Sequence, residues 1–309
     1  MLNSYAGCNL VQTSLISNMA NTYYAILALD EQLKVIIEMI VLMENNLVTT
    51  EAPKEAGMTN SAAVEQTRAA LYSAKASIPD LESNIRQLEN SMCTLLGRKP
   101  GLISRSSITQ QYISATLDHG IPVKMLARRP DVNQAELEFR SAFELSNAAK
   151  ASFYPSVNLT SGMIGYSTVN GLSSFFKPEN LFASIAGGIT QPVFARKQLM
   201  TQYKVAKSEQ QIALLSFEET VLTAGQEVSD ILYTYESSLK KNAEREKVES
   251  LFKAVDYTQE LLKAGEANYL EVLTAQQGLL VAQLDQVSDK LQQLQTASDL
   301  YRALGGGLE

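Results

Sequence analysis

Hydrophobic positions recur at helical spacing through most of this chain, and proline and glycine cut the pattern into long pieces. Residues 14–49 contain neither breaker and read as one helix. Residues 51–60 hold Pro53 and Gly57 and read as a tip or turn. Residues 61–96 read as a returning helix, interrupted only by Pro79, which is expected to kink it. Residues 97–129 contain Pro100, Gly101, Gly120 and Pro122 and read as an irregular connector. A third helix is expected over 131–152. Pro130 suits its first position, and Asp131 falls in the first turn, where the helix dipole favours an acid.

The period then changes from helical to two. Residues 155–168 alternate, with Val157, Leu159 and Met163 on one side and Asn158, Thr160 and Gly162 on the other. After a loop rich in Gly, Ser and Asn, residues 181–190 alternate again, with Leu181, Ala183, Ile185 and Ile189 sharing a face. Two such runs around a polar loop predict a β-hairpin. Each run has about the ten residues that a tilted strand needs to cross a bilayer, but a hairpin on a soluble sheet has the same spacing.

Residues 196–264 carry only Gly225 as a breaker and predict a helix of roughly 100 Å. A rod of that length must pack along other long helices. A second turn is expected over 265–268, and a final helix over 269–303, stopped by Gly305, Gly306 and Gly307. In this helix Leu270, Gln277, Leu284, Leu291 and Ser298 lie seven apart, as do Leu273, Leu280, Val287, Leu294 and Tyr301. That is a coiled-coil seam. Residues 61–96 have their own, built on Val64, Leu71, Ile78, Ile85 and Met92, and Ala135, Ala142 and Ala149 form a small-residue stripe in the third helix. The punctuation also repeats at an offset of 208. Ala56–Gly57 matches Ala264–Gly265, and Leu96–Gly97 matches Leu304–Gly305. The second copy is preceded by a helix and a hairpin, and the first by nothing, so a matching helix and hairpin are expected ahead of residue 1. The fold class that follows is mainly α: long antiparallel coiled-coil helices with one β-hairpin.

Composition narrows the function. The chain has 309 residues, 26 Lys and Arg against 33 Asp and Glu, and a net charge of -7, so it is a poor ligand for nucleic-acid phosphates. One histidine, His119, excludes a His-rich metal site, and two cysteines, Cys8 and Cys93, cannot form a disulfide framework. Cys93 beside the seam residue Met92 is expected to be buried and inert. The most apolar stretch, residues 23–43, carries Asp30, Glu31, Lys34 and Glu38, too many charges for a transmembrane helix. Only seven residues precede Cys8, with no basic region and no apolar core, so Tyr5-Ala6-Gly7-Cys8 is not expected to be a lipoprotein cleavage site. No phosphate loop, paired carboxylates or nucleophile constellation supports an enzyme, and no cofactor is expected.

The cluster that draws notice is the second turn: Gly265, Tyr269, Leu270, Glu271, Val272 and Leu273. Glu271 reads either as an acid placed by the dipole of its own helix or, repeated around a symmetry axis, as an acidic collar at a pore mouth.

Several segments together resemble the outer membrane efflux protein family, the TolC/NodT-like channels. The run Arg128-Arg129-Pro130-Asp131-Val132, with Ala135-Glu136 after it, resembles that family's Arg-Pro-Asp-Val signature. Residues 153–159 resemble its approach to the second membrane hairpin, and Gln191-Pro192-Val193-Phe194 its exit. Residues 265–273 and 301–307 resemble its tip and its C-terminal ending. The matches run in order over essentially the whole chain.

The resemblance implies a homotrimer in the outer membrane of a Gram-negative bacterium. Pooled strands would form a barrel in outer-membrane lipid, and the helices a periplasmic tunnel. Its tip would dock a periplasmic adaptor that joins an inner-membrane pump. On this analogy Glu271 is the periplasmic gate. Gly57, Gly265, Tyr269, Leu270 and Val272 form the adaptor-docking tip, and Arg129, Pro130, Asp131 and Val132 are a structural motif. Thr274 stands where some members carry a second tip acid, so one acid per protomer is expected at this level. The implied division is a first helical hairpin over 1–96, an equatorial connector over 97–130, a helix over 131–154, a membrane hairpin over 155–194 and a second long helical hairpin over 195–309. Family members carry two hairpins per protomer, so this chain reads as an N-terminally truncated channel protomer. The competing reading is a soluble coiled-coil scaffold or adaptor whose hairpin is a cap.

Overall fold

The computed structural model describes residues 2–55, 61–112, 126–166, 181–190, 197–244 and 247–306. Helix α1 (Leu2–Glu55) is followed by α2 (Ser61–Leu95), a 3-10 turn (Ile108–Gln110) and α3 (Pro130–Ala151). Strands β1 (Ser156–Tyr166) and β2 (Leu181–Thr190) come next. Helices α4 (Gln198–Glu244), α5 (Lys247–Ala264) and α6 (Tyr269–Ala303) complete the order. The chain falls into two compact units. One holds Met1–Asn3 and Val132–Val221, the other Ser4–Asp131 and Leu222–Glu309.

The unit containing the hairpin is simple. β1 and β2 pair antiparallel, with Ser156 opposite Thr190, Val157 opposite Ile189 and Tyr166 opposite Leu181. The register slips between Ser161 and Ile164, so that Ile164, not Met163, is the partner of Ala183. One extra residue in β1 beyond Ser161 thus shifts the backbone alternation by one position, which the regular expected alternation over 155–168 does not contain. On the described end of the ladder Val157 and Ile189 are exposed by 68% and 74%. At the neighbouring register positions, the hydroxyls of Ser156 and Thr190 are 2.8 Å apart and the Asn158 amide donates to the Thr190 hydroxyl at 3.2 Å. The described end of the hairpin therefore presents one apolar and one polar side.

The other unit is held by helix packing. Its largest core cluster joins Ile36, Met39, Ile40 and Met43 of α1, Leu71 of α2, Val255 of α5 and Leu279 of α6. Burying each such side chain stabilises the fold by about 1.5–3 kcal/mol. Leu27 and Ala28 meet Ile108, Val287 and Leu294 in a second cluster, and Val228 meets Leu300 and Ala303 in a third. The α6 seam is only partly as expected. Leu273, Val287 and Leu294 are buried, but Leu270 and Tyr301 are exposed by 53% and 48%. Val272, Gln276 and Leu279 form a further buried stripe, because α6 packs against several neighbours and one heptad seam cannot serve them all. Cys93 is buried, as expected.

Two boundaries also differ. α1 continues through Pro53 to Glu55, so half of the expected tip at 51–60 is helical. A proline this close to a helix end removes one backbone bond and interrupts nothing beyond it. Pro79 lies inside α2 without ending it. The expected long helix over 196–264 is α4 and α5, with residues 245–246 between them outside the described residues. Gly57, His119 and Gly307 also lie outside them.

The offset of 208 survives in backbone detail. After α2, the Gly97 amide donates to the Thr94 carbonyl and the Arg98 amide to the Cys93 carbonyl. After α6, Gly305 and Gly306 donate to Arg302 and Tyr301, the same pair of bonds 208 residues on. Gly97 and Gly305 have φ of 65° and 73°, the left-handed cap that glycine adopts without strain.

Candidate functional site

The second turn is built by the same cap. The Gly265 amide donates to the Leu262 carbonyl at 3.0 Å and the Glu266 amide to Leu261 at 2.9 Å, with Gly265 at φ 80°. Asn268 then caps α6. Its side-chain oxygen accepts from the Glu271 amide at 3.1 Å, and its side-chain nitrogen donates to the Glu271 carboxylate, also at 3.1 Å. This reciprocal pair closes the first turn, and the acid there also suits the helix dipole. Glu271 is exposed and Leu270 is exposed; Tyr269 is half-buried. Val272 is 2% exposed, so it belongs to the helix packing and is not on the surface of the turn. Among the expected tip residues, then, Gly265, Tyr269, Leu270 and Glu271 come together at one turn.

The Arg-Pro-Asp-Val run forms a clasp. Arg129 is 6% exposed. Its Nε donates to Asp131 Oδ1 at 3.0 Å and one terminal nitrogen to Asp131 Oδ2 at 2.7 Å. That nitrogen also donates to Glu227 of α4 at 2.7 Å, and the other donates to the Ala303 carbonyl at 3.0 Å. Arg302 shares the second oxygen of Glu227. Burial works against the Arg129 charge, but the bonds to Asp131 and Glu227 outweigh it and raise the guanidinium above its ordinary pKa. Pro130 and Val132 are themselves buried, and Pro130 opens α3. One planar fork thus ties the start of α3 to α4 and to the C-terminal end of α6, where a cation is favoured. An added Cβ at Gly305 would lie 2.9 Å from the Arg128 carbonyl oxygen, so a glycine is required where the chain passes the clasp.

A second arginine cluster gave no signal in the sequence reading. Arg105, in the connector, pairs with Asp30 of α1 and Glu89 of α2. Glu89 is 2% exposed and also accepts from Arg86 at 3.1 Å. Hydrogen bonding to Asp30 is the largest influence on Arg105. With the contribution of Glu89 it overcomes burial and raises the guanidinium well above its ordinary pKa. Glu89 lies between the seam residues Ile85 and Met92, a position that alone names no partner. No helix among the described residues is long and apolar enough to cross a membrane. The same residues hold no group of three or more His, Cys, Asp or Glu placed to bind a metal.

Comparison with known proteins places these features. The chain is 28% identical over 96% of its length to the probable outer membrane lipoprotein SilC of Salmonella typhimurium, covering 64% of that protein. It is 29% identical over 96% of its length to the toluene efflux pump outer membrane protein TtgC of Pseudomonas putida, covering 61% of it. The crystal structure of the open state of the Neisseria gonorrhoeae MtrE outer membrane channel superposes with a TM-score of 0.85. That alignment has 26% identity and covers 99% of this chain and 69% of MtrE. The chain therefore spans somewhat under two thirds of the length of the curated relatives it matches. Residues 4–98 and 121–306 match the family described as outer membrane efflux protein. With a match over nine tenths of its residues, the chain belongs to the outer membrane efflux protein family.

Proposed function

We propose that this chain is part of the outer-membrane channel of a tripartite efflux system, a passive duct that carries small molecules out of the cell. It performs no catalysis and uses no cofactor. Three protomers pool their hairpins into a barrel in outer-membrane lipid, and their long helices line a periplasmic tunnel. The tunnel tip meets a periplasmic adaptor bound to an inner-membrane pump.

The observation that carries this reading is the two-sided hairpin. Val157 and Ile189 face outward from one side, while Ser156, Asn158 and Thr190 are linked on the other. A barrel wall needs that division, with lipid outside and water inside. A cap on a soluble coiled coil gains nothing from exposed β-branched residues, so no observation favours the scaffold reading. The relatives named above, an efflux pump outer membrane protein among them, support the same function.

At the tip, Gly265 sets the turn, Leu270 and Tyr269 supply the surface that the adaptor grips, and Glu271 supplies one carboxylate per protomer at the mouth. The Arg129 clasp is structural. The test is fractionation after expression of the full-length protein. A channel is recovered from outer membranes and runs as a trimer after mild detergent extraction. Recovery of a monomer in the soluble fraction would refute the proposal.

A further inference from the structure

Where α1 meets α6, the contact changes character along its length. Nearer the second turn it is apolar. Ile36, Met39, Ile40 and Met43 cluster with Leu279, and Leu27 and Ala28 cluster with Val287 and Leu294. At the other end it is polar. The Ser17 hydroxyl donates to Asp299 Oδ1 at 3.2 Å, and the Asn21 side-chain amide donates to the same oxygen at 2.9 Å. The Gln295 amide donates to the Asn21 main-chain carbonyl at 3.4 Å, and the Ser17 and Ser298 hydroxyls are 3.3 Å apart. Ser17 is 1% exposed. The Asn21 side-chain oxygen is buried with no hydrogen-bond partner. An unpaired buried acceptor carries a desolvation cost, so added stability does not explain a polar contact at this level.

Register does explain it. The two helices are antiparallel, since residue numbers rise along α1 as they fall along α6 through these contacts. Apolar side chains recur every seven residues on both, at Leu273, Leu280, Val287 and Leu294 of α6 and at Ile26, Leu33, Ile40 and Leu47 of α1. A slip of one heptad, about 10 Å of helical rise, therefore brings apolar groups against apolar groups again. It does no such thing for Asp299. Slipped one way, the carboxylate meets Leu10 and Ser14 in place of Ser17 and Asn21; slipped the other way, it meets Tyr24 and Ala28. Either leaves it with one hydroxyl and one apolar neighbour. The Arg129 clasp does not make this choice, because its acceptors are Asp131, Glu227 of α4 and the Ala303 carbonyl, none of them on α1. We propose that Asp299, through Ser17 and Asn21, is the positioning residue that selects one axial register between α1 and α6 from those that apolar packing allows. A polar group in an otherwise apolar helix contact specifies register at some cost in stability. In the proposed channel, this register sets the height of the Gly265 turn along α1; the selection itself does not depend on the channel reading.

The register is read as a distance. Val48 of α1 and Val281 of α6 are exposed by 71% and 57%. Val48→Cys and Val281→Cys are made together in the full-length protein and spin-labelled, with Cys8→Ser and Cys93→Ser to remove the native thiols. Labelled protomers are diluted among unlabelled ones, so that distances within one protomer are read. With Ser17 beside Asp299, position 48 lies about 20 Å further along the helix axes than position 281. Axes about 8–10 Å apart then put the two backbone positions about 22 Å from each other. A slip of one heptad changes this to about 32 Å or about 14 Å. Dipolar spectra of the unmodified network are expected to show one population. The combined Ser17→Ala, Asn21→Leu, Asp299→Leu variant is expected to add a second, displaced by about 10 Å, with a urea midpoint no lower than before. Asp299→Asn keeps an oxygen acceptor and should keep the single population.

One population in the combined variant overturns the proposal, because packing or the clasp then sets the register unaided. A lowered midpoint with a single distance overturns it too, since the contact is then an ordinary stabilising one. Should the combined variant fail to fold, Asp299→Ala alone carries the test, and one population in it has the same meaning. A second population in Asp299→Asn overturns the assignment to hydrogen bonding. Recovery of the protein from the soluble fraction removes the channel reading and leaves these distances untouched, so the two failures are told apart.

Discussion

Arg105 and Arg129 each gather carboxylates from separate segments, yet they are built to different standards. The Arg105 side chain keeps 19% of its exposure and serves two acids and the Ile103 carbonyl beside it in the connector; one of the acids, Glu89, has Arg86 as a second partner. The Arg129 side chain keeps 7% and serves Asp131, Glu227 and a main-chain carbonyl at the end of α6. Each cluster can lose its arginine and still leave one acid paired, Glu89 with Arg86 and Glu227 with Arg302. What differs is burial, and that Arg129 alone of the two ties the end of α6 through the Ala303 carbonyl.

The largest effect should come from breaking the more buried cluster. Arg129→Ala is expected to destabilise the chain by about 3 kcal/mol, the lower end of the cost of breaking a buried pair, since Asp131 and Glu227 retain some access to water. Arg129→Lys should recover less than half, because one ammonium cannot replace a fork aimed at three acceptors. Arg105→Ala is expected to cost about 2 kcal/mol, in the range for hydrogen bonds to charged groups. Urea unfolding of the three variants measures the difference directly. Equal costs for Arg129→Ala and Arg105→Ala would erase the distinction drawn between them.

The two glycine caps sharpen the comparison, because their backbones match while their surroundings do not. At Gly97 an added Cβ has nothing within 4 Å, and at Gly305 it meets the Arg128 carbonyl oxygen at 2.9 Å. Gly97→Ala should cost about 1 kcal/mol, the strain of a left-handed L residue. Gly305→Ala should cost about 2–3 kcal/mol, adding overpacking against backbone that is already fixed by the clasp. The ratio of the two midpoint shifts in urea is the measurement, and a ratio near one would mean that the clasp yields.

Much of this architecture is legible in the sequence. Breakers marked the helix ends because proline and glycine act locally, and alternation marked both strands for the same reason. The bulge at Ser161 was not legible, since register belongs to two strands at once and residue 163 looks regular on its own. Nor was the Arg105 cluster, whose three members are distant in sequence and follow no common period. At the candidate site, the glycine turn and the first-turn acid could be read from Gly265 and Glu271. Val272 could not be assigned correctly, because adjacency to a turn does not say which way a helical residue points, and here it points into the packing.

The tip turn supplies the smallest effect and the most informative one. It shares the glycine cap of the two repeat ends but has an Asn268–Glu271 pair in place of an arginine. Asn268→Ala should cost about 1 kcal/mol, the usual worth of an N-cap. Glu271→Gln should cost about 0.5 kcal/mol or less, because the new amide oxygen can still accept from Asn268 and only the dipole interaction is lost. The proposed function requires stability and conduction to separate at this residue. In the proposed full-length channel, Glu271→Gln should reduce cation preference in single-channel recordings while unfolding stays almost unchanged, since a carboxylate at the mouth would attract cations. Asn268→Ala should do the reverse, weakening the turn but keeping the carboxylate. If Glu271→Gln costs as much stability as Asn268→Ala and leaves selectivity untouched, the acid at position 271 serves its helix alone, and its proposed part as a gate falls.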